Sequence, residues 1–161
     1  MMNATPLAAE RRQSFWWVRS FLNPLAKGIL RSPLHGVMSR RLMLITFCGR
    51  KSGRYYTTPI SYVQYGDTLL LGVGGPWWRN LTGGVPVQVC LRGKTRAGRA
   101  DATTDEARVT EAYRTILRRN PVQARFMGIA AAAAGEPEKR DVEEALQRGA
   151  AVVEVTLLPS S

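Results

Sequence analysis

The chain predicts an α+β fold: a small barrel of about six mainly antiparallel strands with flanking helices. Strand-like apolar runs follow one another from Leu42 to Ala102 through short turns rich in Gly. No long helical pattern separates them, and a parallel sheet would need such a crossover. Helical patterns lie before and after this block, and a last strand-like run, Ala150–Leu158, returns to complete the sheet.

Composition sets the outer limits. The 161 residues suit one domain with a real core, and 45% hydrophobic content argues against disorder. The net charge of +11 favours anionic partners: nucleic acid, an acidic lipid surface or a polyanionic small molecule. Nucleic acid ranks last, because no helix offers a clean basic recognition face. The two cysteines, Cys48 and Cys90, fall in apolar strand-like runs and are expected to be buried free thiols in a reducing cytoplasm. One histidine, His35, has no Cys or carboxylate cluster near it, so no protein-built metal site is expected. No apolar run approaches the ~20 residues of a membrane span, and the N-terminus lacks the order of a signal peptide.

Residues 1–40 are expected to form a helical arm packed on a domain spanning 41–161. From Glu10 to Leu22, Phe15, Trp16, Val18, Phe21 and Leu22 gather on one side, away from Arg11, Arg12 and Arg19. Asn23-Pro24 ends this helix; shorter ones follow at Leu25–Leu30 and from Ser32-Pro33, a good cap and first residue. The Trp-bearing arm suits packing on the core or a partner subunit, and secondarily an anionic membrane surface.

The strands are expected at Leu42–Cys48, Tyr55–Val63, Thr68–Val73, Val85–Leu91 and Thr95–Ala102, the last polar and edge-like. Thr103 or Thr104 should cap a helix with acids in its first turn and Arg118-Arg119 in its last. Val122–Gly128 and Lys139–Arg148 suit further helices, joined by a weakly specified alanine-rich connector.

The first hairpin carries the chemistry. Gly49-Arg50-Lys51-Ser52-Gly53-Arg54 joins its strands, and two bracketing glycines allow positive φ. Cations, a hydroxyl and free N–H groups at one turn make an anion cradle; a solvated hairpin tip fits the same residues. It is no Walker loop, since a strand follows rather than a helix. A second stretch, Gly72-Val73-Gly74-Gly75-Pro76-Trp77-Trp78-Arg79-Asn80, offers close backbone approach, helix N-terminal donors and indole rings to wall a flat ligand. The tryptophans equally suit plugging the barrel end. No Ser–His–Asp set or Gly-x-Ser-x-Gly elbow stands out around the one histidine, and no carboxylate pair does, so an enzyme here would draw its reactive atom from a cofactor.

Gly49-Arg50-Lys51-Ser52-Gly53, then Thr57-Thr58-Pro59, a Gly-Asp turn, and Trp77-Trp78-Arg79-Asn80-Leu81 before a Pro-Val strand resemble the deazaflavin-dependent nitroreductase family, also called F420H2-dependent quinone reductases. The likeness runs roughly from Asn23 to Thr104. It implies a split β-barrel of the FMN-binding-like kind and the coenzyme F420, an 8-hydroxy-5-deazaflavin, with FMN as the alternative. It implies that Arg50, Lys51 and Ser52 hold the coenzyme's phosphate and acidic tail. Tyr56, Thr57, Thr58, Pro59, Ile60 and Ser61 would run along its linker and ring. Gly72, Val73, Gly74, Gly75, Pro76, Trp77, Trp78, Arg79 and Asn80 would border the deazaflavin. The implied reaction is hydride delivery to an electron-poor quinone or nitro acceptor, by a cytoplasmic protein or one peripheral on the inner membrane face, with a homodimer as a further partner state. No catalytic residue is assigned. Two differences from the family stand out: the loop at Val73–Pro76 is short, and Asn120–Met127, at the segment that the resemblance sets along the acceptor pocket, has no tyrosine where the family places several. They keep a second reading open, a non-catalytic binder or carrier of F420, FMN or a lipid-like anion.

Overall fold

The structure, a computed structural model, describes residues 40–160. The expected N-terminal arm, with His35, falls outside the described residues except for Arg40. The strands are β1 (Leu42–Cys48), β2 (Tyr55–Ser61), β3 (Val63–Tyr65), β4 (Thr68–Val73), β5 (Val85–Leu91), β6 (Lys94–Thr103) and β7 (Ala151–Leu157). The helices are α1 (Glu106–Arg119), α2 (Pro121–Phe126) and α3 (Lys139–Gln147), with a 3-10 helix at Pro76–Leu81.

Among the described residues, seven strands join one sheet in the order β2-β1-β5-β6-β7-β4-β3, and each of their pairings is antiparallel. The two ends of that order, β2 and β3, are separated in the chain by Tyr62 alone. A sheet whose outermost strands are consecutive in sequence has to curl back on itself, which makes the split β-barrel. Tyr62 is buried at the break, and its N–H donates to the Arg41 carbonyl at 3.1 Å. The single strand expected over Tyr55–Val63 is therefore two strands, each pairing with a different neighbour.

Alternation puts Met43, Ile45, Phe47, Leu69, Leu71, Val87, Val89, Val153 and Val155 in the barrel core. A second core lies between helices and sheet: Val63, Leu70 and Val152 pack with Val109, Tyr113 and Ile116 of α1, and with Ala124 and Val142. Strands β4 and β7 are thus apolar on both faces, which explains the unbroken Leu69-Leu70-Leu71 and Val152-Val153 runs.

Several expectations need correction. β6 is no edge strand; it lies between β5 and β7. Its inward residues include Gly98 and Ala100, which give little hydrophobic signal, and a Cβ on Gly98 would lie 2.9 Å from Val155 Cγ1. The helix α1 starts after Asp105, not Thr103 or Thr104; Thr103 Oγ1 instead accepts the Asp105 N–H at 3.2 Å, ahead of the helix. Cys48 is exposed and Cys90 half-buried, both free, because each points to the outer side of its strand. Among the described residues no helix is long and apolar enough to cross a membrane.

Candidate functional site

The basic turn closes tightly on itself. Gly49 N–H donates to the Arg54 carbonyl at 2.6 Å, and Gly53 N–H to the Gly49 carbonyl at 2.9 Å. The Ser52 hydroxyl accepts the Arg54 N–H at 3.2 Å and shares a 3.1 Å hydrogen bond with the Tyr56 hydroxyl. Only Gly53 uses positive φ, at 66°. Gly49 is glycine for another reason: a Cβ there would lie 2.6 Å from Ser52 Oγ and 2.7 Å from Tyr56 Cε2. Arg50, Lys51 and Arg54 are exposed. None of them is ion-paired among the described residues. Each adds roughly 1–4 kcal/mol of attraction to an anion at contact, depending on how far water is excluded.

The tryptophan stretch meets this turn. Asn80 Oδ1 accepts the Arg50 N–H at 2.9 Å, while Asn80 Nδ2 donates to the Trp77 carbonyl at 2.9 Å. One amide side chain therefore straps the cationic turn to the 3-10 helix. Phe47 stacks on Trp77, with centroids 5.5 Å apart and planes 18° apart, and meets Tyr56 at 5.9 Å. Tyr56, Phe47 and Trp77 form an aromatic wall beside the cations. Trp78 faces elsewhere: its indole N–H donates to the Gly149 carbonyl at 3.0 Å, and the Arg79 guanidinium lies 5.4 Å from its ring centroid. Both tryptophans pack partly against the barrel core, as a barrel-end plug does. The donors expected from a helix N-terminus are fewer than foreseen, because the helix has six residues of 3-10 form and opens on Pro76, which has no N–H.

The remaining expected residues divide. Gly74 and Gly75 are exposed, and the nearest atom to a Cβ on Gly74 would be Met127 Cε at 4.0 Å. Gly72 is covered: its Cβ position lies 2.7 Å from the Tyr113 hydroxyl and 3.0 Å from Met127 Cγ. Val73 belongs to the core. On β2, the Thr57 hydroxyl pairs with Thr46 Oγ1 at 2.8 Å, Thr58 and Ile60 are half-buried, and Pro59 is exposed. Ser61 stands at the far end of β2, about 20 Å along the strand from the turn. It is tied instead to the junction of α1 and α2: Asn120 Nδ2 lies 3.4 Å from its hydroxyl, and Gln123 Nε2 of α2 lies 3.4 Å from its carbonyl.

A cavity of about 430 Å³ opens beside the tryptophans, lined by Gly74, Phe126, Met127, Gly128, Ala145, Arg148 and Ala150. Gly74 was expected at the ring site, and Phe126 and Met127 fall in the segment set beside the family's acceptor pocket by the resemblance. Gly128, Ala145, Arg148 and Ala150 were not foreseen; they lie after that segment in the chain and carry no local signal.

The site fits an acidic, flat-ringed coenzyme on its own chemistry: unpaired cations, an aromatic wall and an open glycine edge. Fold and site together define a split β-barrel protein of the FMN-binding-like class with a cationic mouth. The family model for F420H(2)-dependent quinone reductase matches residues 30–132, and the chain belongs to that family. It is by family an F420-dependent oxidoreductase, and its coenzyme is F420. The fold also matches a solved structure described as an F420-H2 dependent reductase (FDR-A) at 18% identity and a TM-score of 0.50, covering 72% of this chain and 94% of that one. A structure described as a domain-swapped dimer matches at 19% identity and a TM-score of 0.51, covering 86% and 96%. No curated protein sequence matches the chain.

Proposed function

We propose that this protein transfers a hydride from reduced F420 to an electron-poor quinone or nitro acceptor. The observation that carries the reading is the Asn80 strap, which joins the unpaired cations of the turn to the aromatic wall. Reduced F420, when bound, supplies the hydride, and the acceptor takes up a proton as well. In this reading Arg50, Lys51 and Ser52 hold the phosphate and acidic tail, since the coenzyme carries a phosphodiester and glutamates. Tyr56 and Trp77 flank the flat ring system, and the open Gly74-Gly75 edge admits it. The covered Gly72 and the core residue Val73 support this arrangement from beneath.

The test is a titration of the purified protein with F420 and with FMN, followed by tryptophan fluorescence. Oxidation of reduced F420 is then followed across a panel of quinones and nitro compounds. Binding of F420 with turnover is expected. Failure to bind either coenzyme at tens of micromolar removes the reading, and binding without turnover on any acceptor converts the protein into a carrier.

A further inference from the structure

We propose that the cavity at Phe126 and Arg148 selects acceptors that carry an acidic group on a flat ring; this rests on the hydride-transfer reading only in taking the bound acid as the acceptor. The walls are apolar: Phe126, Met127, Ala145 and Ala150 line them, and Phe126 is 92% exposed, its ring open to a stacking partner. Arg148 is the single charged residue in the lining. Its guanidinium lies over the Gly128 backbone, with Nη2 3.1 Å from where a Cβ on Gly128 would stand. Its charge is only loosely paired. The carboxylate paired with it among the described residues, Glu144, is shared with Arg140: Arg140 Nε stands 2.9 Å from Oε1, whereas Arg148 Nη1 stands 3.8 Å from Oε2. Arg140 also faces Asp141, and of Glu144's two partners the looser one is in the cavity. Arginine binds carboxylates through paired N–H donors, so it recognises an acid more specifically than a general positive field would. The cavity shares Gly74 with the open glycine edge. Trp78 is bonded to Gly149, between Arg148 and Ala150 of the lining. An acid held by Arg148 would therefore lie next to the proposed ring site.

A matched pair of probes tests this: 4-nitrobenzoate and its methyl ester, titrated into the full chain and followed by tryptophan fluorescence, with F420 binding measured separately. The wild type should bind the acid about five- to tenfold more tightly than the ester. Arg148→Leu should bring that ratio to about one, and Arg148→Lys should leave it in between. Glu144→Gln should raise the ratio, by removing the competing carboxylate, and Arg140→Leu should lower it, by turning Glu144 towards Arg148. Equal affinity for acid and ester in the wild type, or a ratio indifferent to Arg148→Leu, overturns the proposal. Loss of F420 binding with the ratio intact counts against the hydride-transfer reading and leaves the acid pocket standing.

Discussion

Gly72→Ala separates a packing role from a coenzyme role at a position where sequence likeness implies the second. The added Cβ would lie 2.7 Å from the Tyr113 hydroxyl and 3.0 Å from Met127 Cγ. Tyr113 is 2% exposed and cannot swing aside, whereas Met127 can bend. Overpacking of this kind costs about 1–3 kcal/mol. Replacing a strand glycine by alanine returns about 0.5–1 kcal/mol of chain entropy, so the expected net loss is about 1–2 kcal/mol. The Tyr113 hydroxyl has no hydrogen-bond partner among the described residues, so Tyr113→Phe alone should shift stability by less than about 1 kcal/mol. With the hydroxyl gone, the nearest ring atom to the new Cβ is Cζ at 3.5 Å, an ordinary contact. The double variant should therefore recover most of the loss, with a coupling of about 1 kcal/mol. Urea unfolding of the four proteins in the cycle measures it. Additive single and double variants would refute the packing argument. A Gly72→Ala protein of wild-type stability that no longer binds F420 would show that the coenzyme, not Tyr113, demands the glycine.

Asn80→Ala should cost about 1 kcal/mol in urea unfolding and weaken F420 binding several-fold, because it frees the Arg50 N–H and the Trp77 carbonyl together; Asn80→Asp keeps the acceptor and should lose less stability, but its negative charge beside the cationic turn should weaken F420 binding at least as much. Arg50→Ala and Lys51→Ala should leave stability within about 0.5 kcal/mol, since both side chains are exposed and unpaired among the described residues. Each should weaken F420 binding and flatten its dependence on salt, as read from titrations at two ionic strengths. Burial pushes the Tyr113 hydroxyl well above the ordinary 10.0, so the fold favours its neutral form. That stabilisation is complete below the unfolded value and is lost as pH rises beyond it towards the folded one. Melting temperatures from about pH 8 to about pH 11 should fall less steeply in Tyr113→Phe than in the wild type.

The hairpin from Leu42 to Tyr65 was legible because strand patterns and a Gly-bracketed turn are local signals. Its break was not: nothing around Tyr62 marks it, and only pairing with two different neighbours makes one extended run into two strands. β6 misled for a related reason. Small inward residues carry little hydropathy, so a central strand with a polar outer face looks like an edge. At the site, the sequence named both stretches and could not say what joins them, because Arg50 and Asn80 meet across the barrel mouth through one amide. The adjacent tryptophans show what local reading leaves out. A 3-10 helix turns by a third of a circle per residue, so neighbouring side chains point apart. Trp77 accordingly stacks on Phe47 beside the cationic turn, while Trp78 reaches Gly149 beside the cavity of Arg148. The pair thus looks both ways, and the short helix that carries it is the physical link between the proposed coenzyme mouth and the proposed acceptor pocket.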